Sequence, residues 1–257
     1  MKVTKIILAI AVLLCATLMG CHKGELVEKI PNSEIPDMLF RDYLLLHFDT
    51  NLDGFISKKE AKAVKEIDLR DVKAGINFLA GIEYFTSLEK LFLGIMSIER
   101  LDLSALSMLE VLDCSGCPLK TLVLPESKRL KSLYGSGSLN SINLNDFELL
   151  EDFTFNGTID KLDIINSSVK RIVCNQIKNL NIGNLPNLEF MSIRNNDNIS
   201  HLIGNHAVDL TKSTKLKSLT CEYIRCEINI SQCTTLEELM LLNVGNKTVD
   251  LSKNTAL

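Results

Sequence analysis

The sequence has no tryptophan, and its 257 residues include only ten phenylalanines and four tyrosines. The net charge is also small: −4 overall, and −6 without residues 1–20, because that stretch carries only Lys2 and Lys5. A mildly acidic chain lacks the basic patch that nucleic-acid binding needs, so we expect no nucleic-acid partner. The four histidines form no recognisable catalytic group, and nothing marks a paired acid and base or a catalytic metal set. We therefore expect no enzymatic activity.

An uncharged apolar run lies near the start of the chain, from Ile6 to Met19. It is shorter than the roughly 20 residues that a membrane-spanning helix needs. Together with the preceding lysines it predicts a signal peptide over residues 1–20. The run ends in Leu18-Met19-Gly20-Cys21, which resembles the bacterial lipobox. In that family the peptide is cut before the cysteine, so the resemblance implies that a lipid on Cys21 anchors the protein to a membrane. A plain secretory signal is the alternative.

An aliphatic repeat fills most of the remaining sequence. Its first apolar positions are spaced by 21, 21, 20, 19, 19, 28 and 20 residues, and they are Leu88, Leu109, Leu130, Leu150, Val169, Leu188, Leu216 and Leu236. The unit Leu109-x-x-Leu112-x-Cys114-x-x-Cys117-x-Leu119 fits the leucine-rich-repeat template at every position. The expected fold is mainly β, a leucine-rich-repeat solenoid of about eight repeats with a period near 21, covering residues 67–257. The 28-residue unit places an insertion within Asn195–Ala207.

Each unit also carries a second apolar pair with period-two alternation, from Leu101/Leu103 to Val249/Leu251, which predicts a second strand column. The residues between these pairs should point outward as a ladder: Asp102, Val123, Asn143, Asp163, Asn181, Asp209, Asn229 and Asp250. Neighbouring ladder positions lie about 4.8 Å apart, so asparagine amides can donate to flanking carboxylates. We therefore favour a surface ladder whose side chains hydrogen-bond to one another over a stripe that binds a ligand.

Six cysteines remain beyond residue 21, and an exported protein could pair them. Cys114, Cys174 and Cys221 occupy the third apolar position of a strand, where a small buried side chain fits, and Cys117 takes the Asn/Cys site. No βαβ pattern supports a thioredoxin-like function for Cys114-x-x-Cys117, and no histidine stands at zinc spacing from the others. We expect core thiols, although Cys226 and Cys233 do not stand at the third apolar position of a strand.

Upstream of the repeats, residues 49–60 match the calcium loop of an EF-hand, which needs oxygen ligands at positions 1, 3, 5, 7, 9 and 12 and glycine at position 6. Here Gly54 permits the turn, Ile56 points inward, and the ligands are Asp49, Asn51, Asp53, the Phe55 carbonyl, Ser57 and Glu60. An acidic turn without bound metal is the alternative. The motif predicts one structural calcium ion, bound weakly because the loop has no second loop to pair with.

The segments on either side of this loop have distinct sequence patterns. Phe40, Leu44, Leu45 and Phe48 recur at helical spacing before it, as expected for an entering helix. We expect a tether over residues 21–34 and a helix-loop-helix cap over residues 35–66 that closes the open end of the solenoid.

Together, the lipobox, the single calcium loop and Leu-Asp-Leu-Ser units such as Val249–Asn254 resemble leucine-rich-repeat lipoproteins of Gram-negative gut bacteria. The resemblance covers nearly all of the chain but departs at the Asn/Cys site, which Met96, Cys117 and Asn196 occupy irregularly. It implies an exported protein anchored in the envelope, at the outer membrane, that binds a protein or a glycan. Whether it faces the surface or the periplasm stays open, and a purely structural or adhesive envelope component is the alternative function.

Alternation within the first strand column turns one set of side chains outward. Four of these are large and apolar: Phe92, Tyr134, Phe190 and Met240. Exposed groups of this kind are often interface anchors, which makes these four the candidate partner-binding residues. Packing against neighbours across the sheet is the alternative. Leu257 stands 21 residues after Leu236, at the first position of a ninth unit, so we expect the last strands to form a weak, unpaired edge. Truncation of the chain would explain this end point equally well.

Overall fold

The computed structural model describes residues 27–72, 75–145, 147–165, 167–194, 208–224, 226–246 and 248–257. The predicted signal peptide, Cys21 and the insertion expected within residues 195–207 lie outside the described residues.

Parallel strands build the body of the protein. Its described strands are β1 (Glu66–Asp68), β2 (Lys90–Phe92), β3 (Arg100–Asp102), β4 (Val111–Leu119), β5 (Thr121–Val123), β6 (Ser132–Asn143), β7 (Asp152–Ile165), β8 (Arg171–Asn175), β9 (Ile177–Gly183), β10 (Phe190–Arg194), β11 (Val208–Asp209), β12 (Ser218–Glu222), β13 (Ile228–Asn229) and β14 (Glu238–Leu242). The main sheet has ten strands in the order β1-β2-β4-β6-β7-β8-β10-β12-β14, with β9 paired to β7. Each strand thus pairs with the strand one turn further along, as a solenoid requires.

The strand register reproduces the repeat spacing. Lys90 lies opposite Val111, which lies opposite Ser132, and the same correspondence continues through Phe190 and Ser218. The residue after each of these points inward, and these inward side chains are fully buried or nearly so: Leu91, Leu112, Leu133, Phe153, Ile172, Met191 and Leu219. Stacked aliphatic layers therefore form one continuous core, confirming the predicted solenoid.

The second strand column is real but broken into short pieces. It comprises the β3–β5 pair, the later halves of β6 and β7 with β9, and the β11–β13 pair. The expected strand at Val249–Leu251 is absent from the described residues. In its place the Asn246 side chain accepts from the Ile228 N–H (2.7 Å) and donates to the Ile228 carbonyl (3.0 Å), so an amide side chain occupies the free edge of β13.

Two short helices precede the solenoid: α1 (Met38–Phe48) and α2 (Lys58–Ala63), with a 3₁₀ turn at Asn32–Glu34 before them and another at Ile82–Tyr84 after them. Asp37 starts α1 by accepting from the Leu39 and Phe40 amides, and its other oxygen accepts from the Asn77 N–H at 2.9 Å. Phe40 and Leu44 are buried in the common core. The helices therefore share one core with the first solenoid turns.

Glycines let successive turns approach closely in two places, at Gly94 and Gly116 and at Gly137 and Gly157. Gly116 lies against the backbone of Gly94, and Gly157 against that of Gly137; a Cβ on Gly116 would come within 2.5 Å of the Gly94 carbonyl oxygen. Gly137 has a φ of +114°, and a Cβ at that position would overlap the backbone of Leu119. Only glycine combines this dihedral angle with this contact.

The C-terminal strand β14 has one described neighbour, β12. Its inward side chains, Leu239 and Leu241, remain partly exposed, whereas the equivalent Leu219 and Cys221 on β12 are buried. Buried Asn254 donates to the carbonyls of Ile230 (3.2 Å) and Cys233 (2.7 Å), and so satisfies backbone groups near this end. The sequence pattern did not predict that polar contact.

Candidate functional site

Residues 49–60 form a compact loop whose acidic side chains point back at its own amides. Asp49 accepts from the amides of Asp53 (3.2 Å) and Gly54 (2.9 Å). Asn51 accepts from the Asp53 amide at 3.0 Å, and Asp53 accepts from the Phe55 amide at 3.0 Å. Gly54 has a φ of +79° and open space around its Cα, and Ile56 is buried, both as the motif predicts. The side-chain oxygens at positions 1, 3 and 5 are therefore gathered on the inside of one tight turn.

Glu60, the last residue of the motif, is held by two hydroxyl residues. One carboxylate oxygen accepts from the amide and hydroxyl of Thr50 (2.8 and 2.7 Å), and the other from those of Ser57 (2.9 and 2.7 Å). The Ser57 hydroxyl in turn accepts from the Glu60 amide and completes a capping box at the start of α2. Burial alone would raise the pKa of Glu60, but these hydrogen bonds outweigh it and lower the pKa to about 2.

The donor set suits calcium, which takes carboxylate, carbonyl and hydroxyl oxygens. The Lys29 side chain already places a positive charge at this site. Its ammonium is 2.9 Å from an Asp53 carboxylate oxygen and holds the pKa of that carboxyl below its usual value. Among the described residues, no three His, Cys, Asp or Glu side chains are grouped closely enough to hold a metal. Calcium coordination by Asp49, Asp53 and Glu60 together would thus require these carboxylates to move closer to one another.

A cleft of about 450 Å³ lies beside the loop. Phe48, Ala63 and Val64 give it a mainly apolar lining, and Thr50 and Glu60 form its side nearest the loop. The hydrogen bonds between Thr50 and Glu60 therefore form part of the cleft wall.

The outward side of the main sheet is the face on which the four candidate partner-binding residues were predicted. Phe92, Tyr134 and Phe190 lie there with part of each side chain exposed, and Met240 on β14 is 47% exposed. The alternation is broken at Ser192, which is 6% exposed. Its neighbours in the sheet are Val173 and Thr220, both of which have larger side chains than serine.

Three of these four residues have partners across the sheet. The Arg70 guanidinium lies 4.4 Å from the ring centroid of Phe92. The Tyr134 hydroxyl donates to Asp152 at 3.1 Å. Phe190 has the same kind of partner as Phe92, because the Arg171 guanidinium lies 4.3 Å from its ring centroid. Packing across the sheet therefore occurs at three positions, and three partly exposed aromatic rings on separate strands remain on this face.

The Asp/Asn ladder of the second column has a local structural role. Asp102, Asn143, Asp209, Asn229 and Asp250 each accept a hydrogen bond from the amide two residues further on, at 2.9–3.2 Å. These contacts shape the turn that follows each of these segments, which is a strand in the first four cases and an extended segment without strand pairing at Asp250. Asp163 differs: it is 7% exposed, accepts from Asn181 at 2.9 Å and pairs with Lys161 at 2.8 Å. The ladder side chains therefore bond to groups of the protein itself, which favours a structural surface ladder over a ligand-binding stripe.

Sequence reasoning missed a second ladder, formed by the charged residues that directly precede the strands of the main sheet. It runs from turn to turn along the end of the sheet at which the strands begin. Its members are Lys65, Glu89, Glu110, Lys131, Glu151, Lys170, Glu189, Lys217 and Glu237, joined in order by backbone hydrogen bonds. Ion pairs link Lys65 with Glu89 (2.9 Å), Lys131 with Glu110 (2.6 Å) and Lys170 with Glu151 (3.0 Å). The signal was present, because a charged residue follows the first apolar residue of every repeat. Exposed pairs of this kind stabilise by at most about 1 kcal/mol each, so the ladder contributes mainly to the register between turns.

All six described cysteines are free, as expected for core thiols. Five are buried, including Cys233, and Cys226 is partly exposed. The Cys114 thiol donates to the Tyr134 carbonyl at 3.2 Å. Burial raises the pKa of every one of these thiols, to about 11 for Cys117 and Cys233. They therefore stay protonated at neutral pH and suit neither metal binding nor nucleophilic chemistry.

Within the described residues, no helix has the length and apolar character needed to cross a membrane. No protein-family model and no curated protein matches the chain. Among solved structures, an internalin C2 from Listeria monocytogenes is similar, with a TM-score of 0.51 and 17% identity, covering 88% of this chain and 99% of that chain. The functional domain of InlJ from the same species has a TM-score of 0.33 at 16% identity, covering 90% of this chain and 75% of that one. An internalin InlF from L. monocytogenes has a TM-score of 0.29 at 14% identity, covering 91% and 96%. The likeness to internalin C2 shows the fold: the protein is a parallel β-solenoid of the leucine-rich-repeat type.

Proposed function

We propose that the protein is an exported, non-enzymatic binding scaffold that recognises a protein or a glycan through the outward side of its main sheet. The observation that carries this proposal is the presence of three partly exposed aromatic side chains, Phe92, Tyr134 and Phe190, on the outward side of one continuous sheet. Aromatic groups supply large contact areas at low entropic cost in protein interfaces and stack on sugar rings. The neighbouring arginines add charged donors beside two of these rings.

The first experiment is to identify the ligand. A soluble fragment of residues 22–257, which omits the predicted signal peptide and lipid-bearing cysteine, is applied to glycan and protein arrays. Reproducible binding to one chemical class supports a recognition role. An absence of binding at micromolar protein on both arrays would favour the alternative, a structural or adhesive envelope component. One observation favours that alternative: the three aromatic side chains already have partners within the sheet.

We further propose that residues 49–60 bind one calcium ion through Asp49, Asn51, Asp53, the Phe55 carbonyl, Ser57 and Glu60. The inward-turned oxygens at positions 1, 3 and 5 and the bend at Gly54 support this assignment. When bound, calcium would supply a positive charge that joins the two helices of the cap. The residues of the chain position the oxygens and, through Ile56 and Phe40, hold the loop against the core.

Calcium that binds only the folded state stabilises it by RT ln(1 + [L]/Kd), about 1.4 kcal/mol at a tenfold excess over Kd. Millimolar calcium should therefore raise the melting temperature of the wild type, and Asp49→Ala with Glu60→Ala should remove that rise. Glu99→Ala with Asp102→Ala, two exposed carboxylates on the solenoid, is the matched control and should keep it. A calcium response that survives the change at Asp49 and Glu60 would show that the loop is not the site.

The proposed anchor is a lipid on Cys21, supported by the lipobox at the end of the apolar run. Cells labelled with a fatty-acid probe should incorporate it into the wild type and not into Cys21→Ser. Equal labelling of both would contradict the anchor and favour the plain secretory signal.

A further inference from the structure

The segment just before the cap, Glu28–Ile30, pairs with the second half of the loop; we call it the strap. Lys29 forms an antiparallel bridge with Ser57. The Ile30 N–H donates to the Ile56 carbonyl and the Lys58 N–H donates to the Glu28 carbonyl, both at 2.8 Å. Ile30 and Ile56 are buried in the same core, so the strap is attached by backbone and by packing.

Two ion pairs also join the strap to the loop, one with its lysine on the strap and one with its lysine on the loop. Lys29 reaches from the strap to Asp53 (2.9 Å), with its ammonium 4.4 Å from the centroid of the Phe55 ring. Lys58 reaches from the loop to Glu28 (2.6 Å). Asp53 and Phe55 are two of the six proposed calcium ligands. The strap therefore places a positive charge where the loop would hold its cation.

A divalent cation and the Lys29 ammonium cannot both lie against Asp53 without strong repulsion. A calcium–oxygen distance is about 2.3–2.6 Å, shorter than the present ion pair, so an ion bound by Asp53 would lie within a few ångströms of the lysine nitrogen. Lys29 therefore opposes occupation of the loop, and an ion that displaces the ammonium from Asp53 removes one of the attachments of the strap to the cap.

We infer that Lys29 is a built-in competitor for the calcium ion, so that calcium loading weakens the hold of the loop on the strap. This inference rests on the calcium binding proposed above and assigns its regulation. Its consequence concerns the tether, because Lys29 lies eight residues after Cys21. Eight residues span at most about 29 Å when fully extended. Attachment of the strap thus limits how far the solenoid can move from the proposed lipid anchor, and calcium weakens that attachment by removing one ion pair while the backbone hydrogen bonds and buried Ile30 remain.

Two measurements on the full chain in detergent test the inference. In calorimetric titrations with calcium chloride at fixed ionic strength, Lys29→Gln should bind calcium about two- to fivefold more tightly than the wild type, the range expected for removing an exposed ion pair. Lys170→Gln is the matched control, because Lys170 is about as exposed as Lys29 and pairs with Glu151 at a similar distance but lies on the solenoid; its calcium affinity should equal that of the wild type.

Hydrogen exchange provides the second measurement. Calcium should speed exchange of the Ile30 and Lys58 amides in the wild type and leave the Leu93 amide, which donates to Asp113 within the solenoid, unchanged. Equal calcium affinity in wild type and Lys29→Gln, or calcium-induced protection of the strap amides, overturns the inference while leaving the calcium site intact. Failure of the wild type, Lys29→Gln and Lys170→Gln alike to bind calcium removes the site itself and the inference with it.

Discussion

Replacing Gly137 with alanine should be among the most damaging single-methyl changes in the solenoid. The residue has a φ of +114°, and an added Cβ would overlap the backbone of Leu119 one turn below. A dihedral angle in this region costs a non-glycine residue about 1–3 kcal/mol, and forcing a methyl group into a packed site costs about 1–3 kcal/mol more. We therefore expect Gly137→Ala to lower the free energy of unfolding by about 2–6 kcal/mol.

Equilibrium unfolding in guanidinium chloride measures this loss, and thermal melting checks it independently. For a chain of this size 1 kcal/mol corresponds to about 2–4 °C, so the melting temperature should fall by roughly 4 °C or more. Gly183→Ala is the matched control, because Gly183 has open space around its Cβ direction and should tolerate the methyl group. A Gly137→Ala variant within about 0.5 kcal/mol of the wild type would refute the close contact between Gly137 and the backbone of Leu119.

Three further outcomes are expected. Because burial raises the pKa values of the thiols, to about 11 for Cys117 and Cys233, the native fragment of residues 22–257 should react slowly with iodoacetamide at pH 8, and all six thiols should react once it is unfolded; fast labelling of several thiols in the native state would contradict their burial. Hydrogen exchange should be fastest at β14 and in residues 248–257, where packing is incomplete, and uniform protection of a monomer would contradict the weak edge. Replacing Asn246 by alanine should cost about 1–3 kcal/mol in unfolding experiments, because both backbone groups of Ile228 lose their partner; a neutral effect would show that water replaces the amide.

The sequence predicted the register of the main sheet well, for a physical reason. Each turn can bury its leucines only by lying directly on the previous turn, so the spacing between repeats equals the offset between paired strands. Lys90 and Val111 are paired in the structure, and Leu88 and Leu109 stand at the same separation. The fold class, the strand order and the inward positions follow from that one constraint.

Contacts between side chains of different turns could not be predicted in the same way. Alternation along a strand places Phe92 outward, but the guanidinium that covers its ring comes from Arg70 on the preceding turn. Similarly, the expected strand at Val249–Leu251 is missing because a strand needs a free partner edge, and Asn246 already occupies the edge of β13. Such competition between a side chain and a backbone segment leaves no periodic signal.

The loop of residues 49–60, for which we propose calcium binding, shows the same division between local and long-range features. Its sequence motif correctly placed the turn at Gly54 and the buried Ile56, since both depend on neighbouring residues alone. The motif carries no information on Lys29, which lies 24 residues before Asp53 and reaches it only because the strap folds back along the loop.

The central claim, that the outward side of the main sheet recognises a partner, is tested most directly by comparing two pairs of substitutions against the ligand that the arrays identify. Phe92→Ala with Tyr134→Ala changes this face, and Asp102→Ala with Asn143→Ala changes the ladder of the second strand column. We expect the first pair to weaken binding at least tenfold, since truncating an interface anchor costs about 2 kcal/mol or more, with little change in melting temperature. The second pair should bind like the wild type. Full affinity in the Phe92 and Tyr134 variant, with binding lost in the Asp102 and Asn143 variant, would contradict the claim and assign recognition to the ladder.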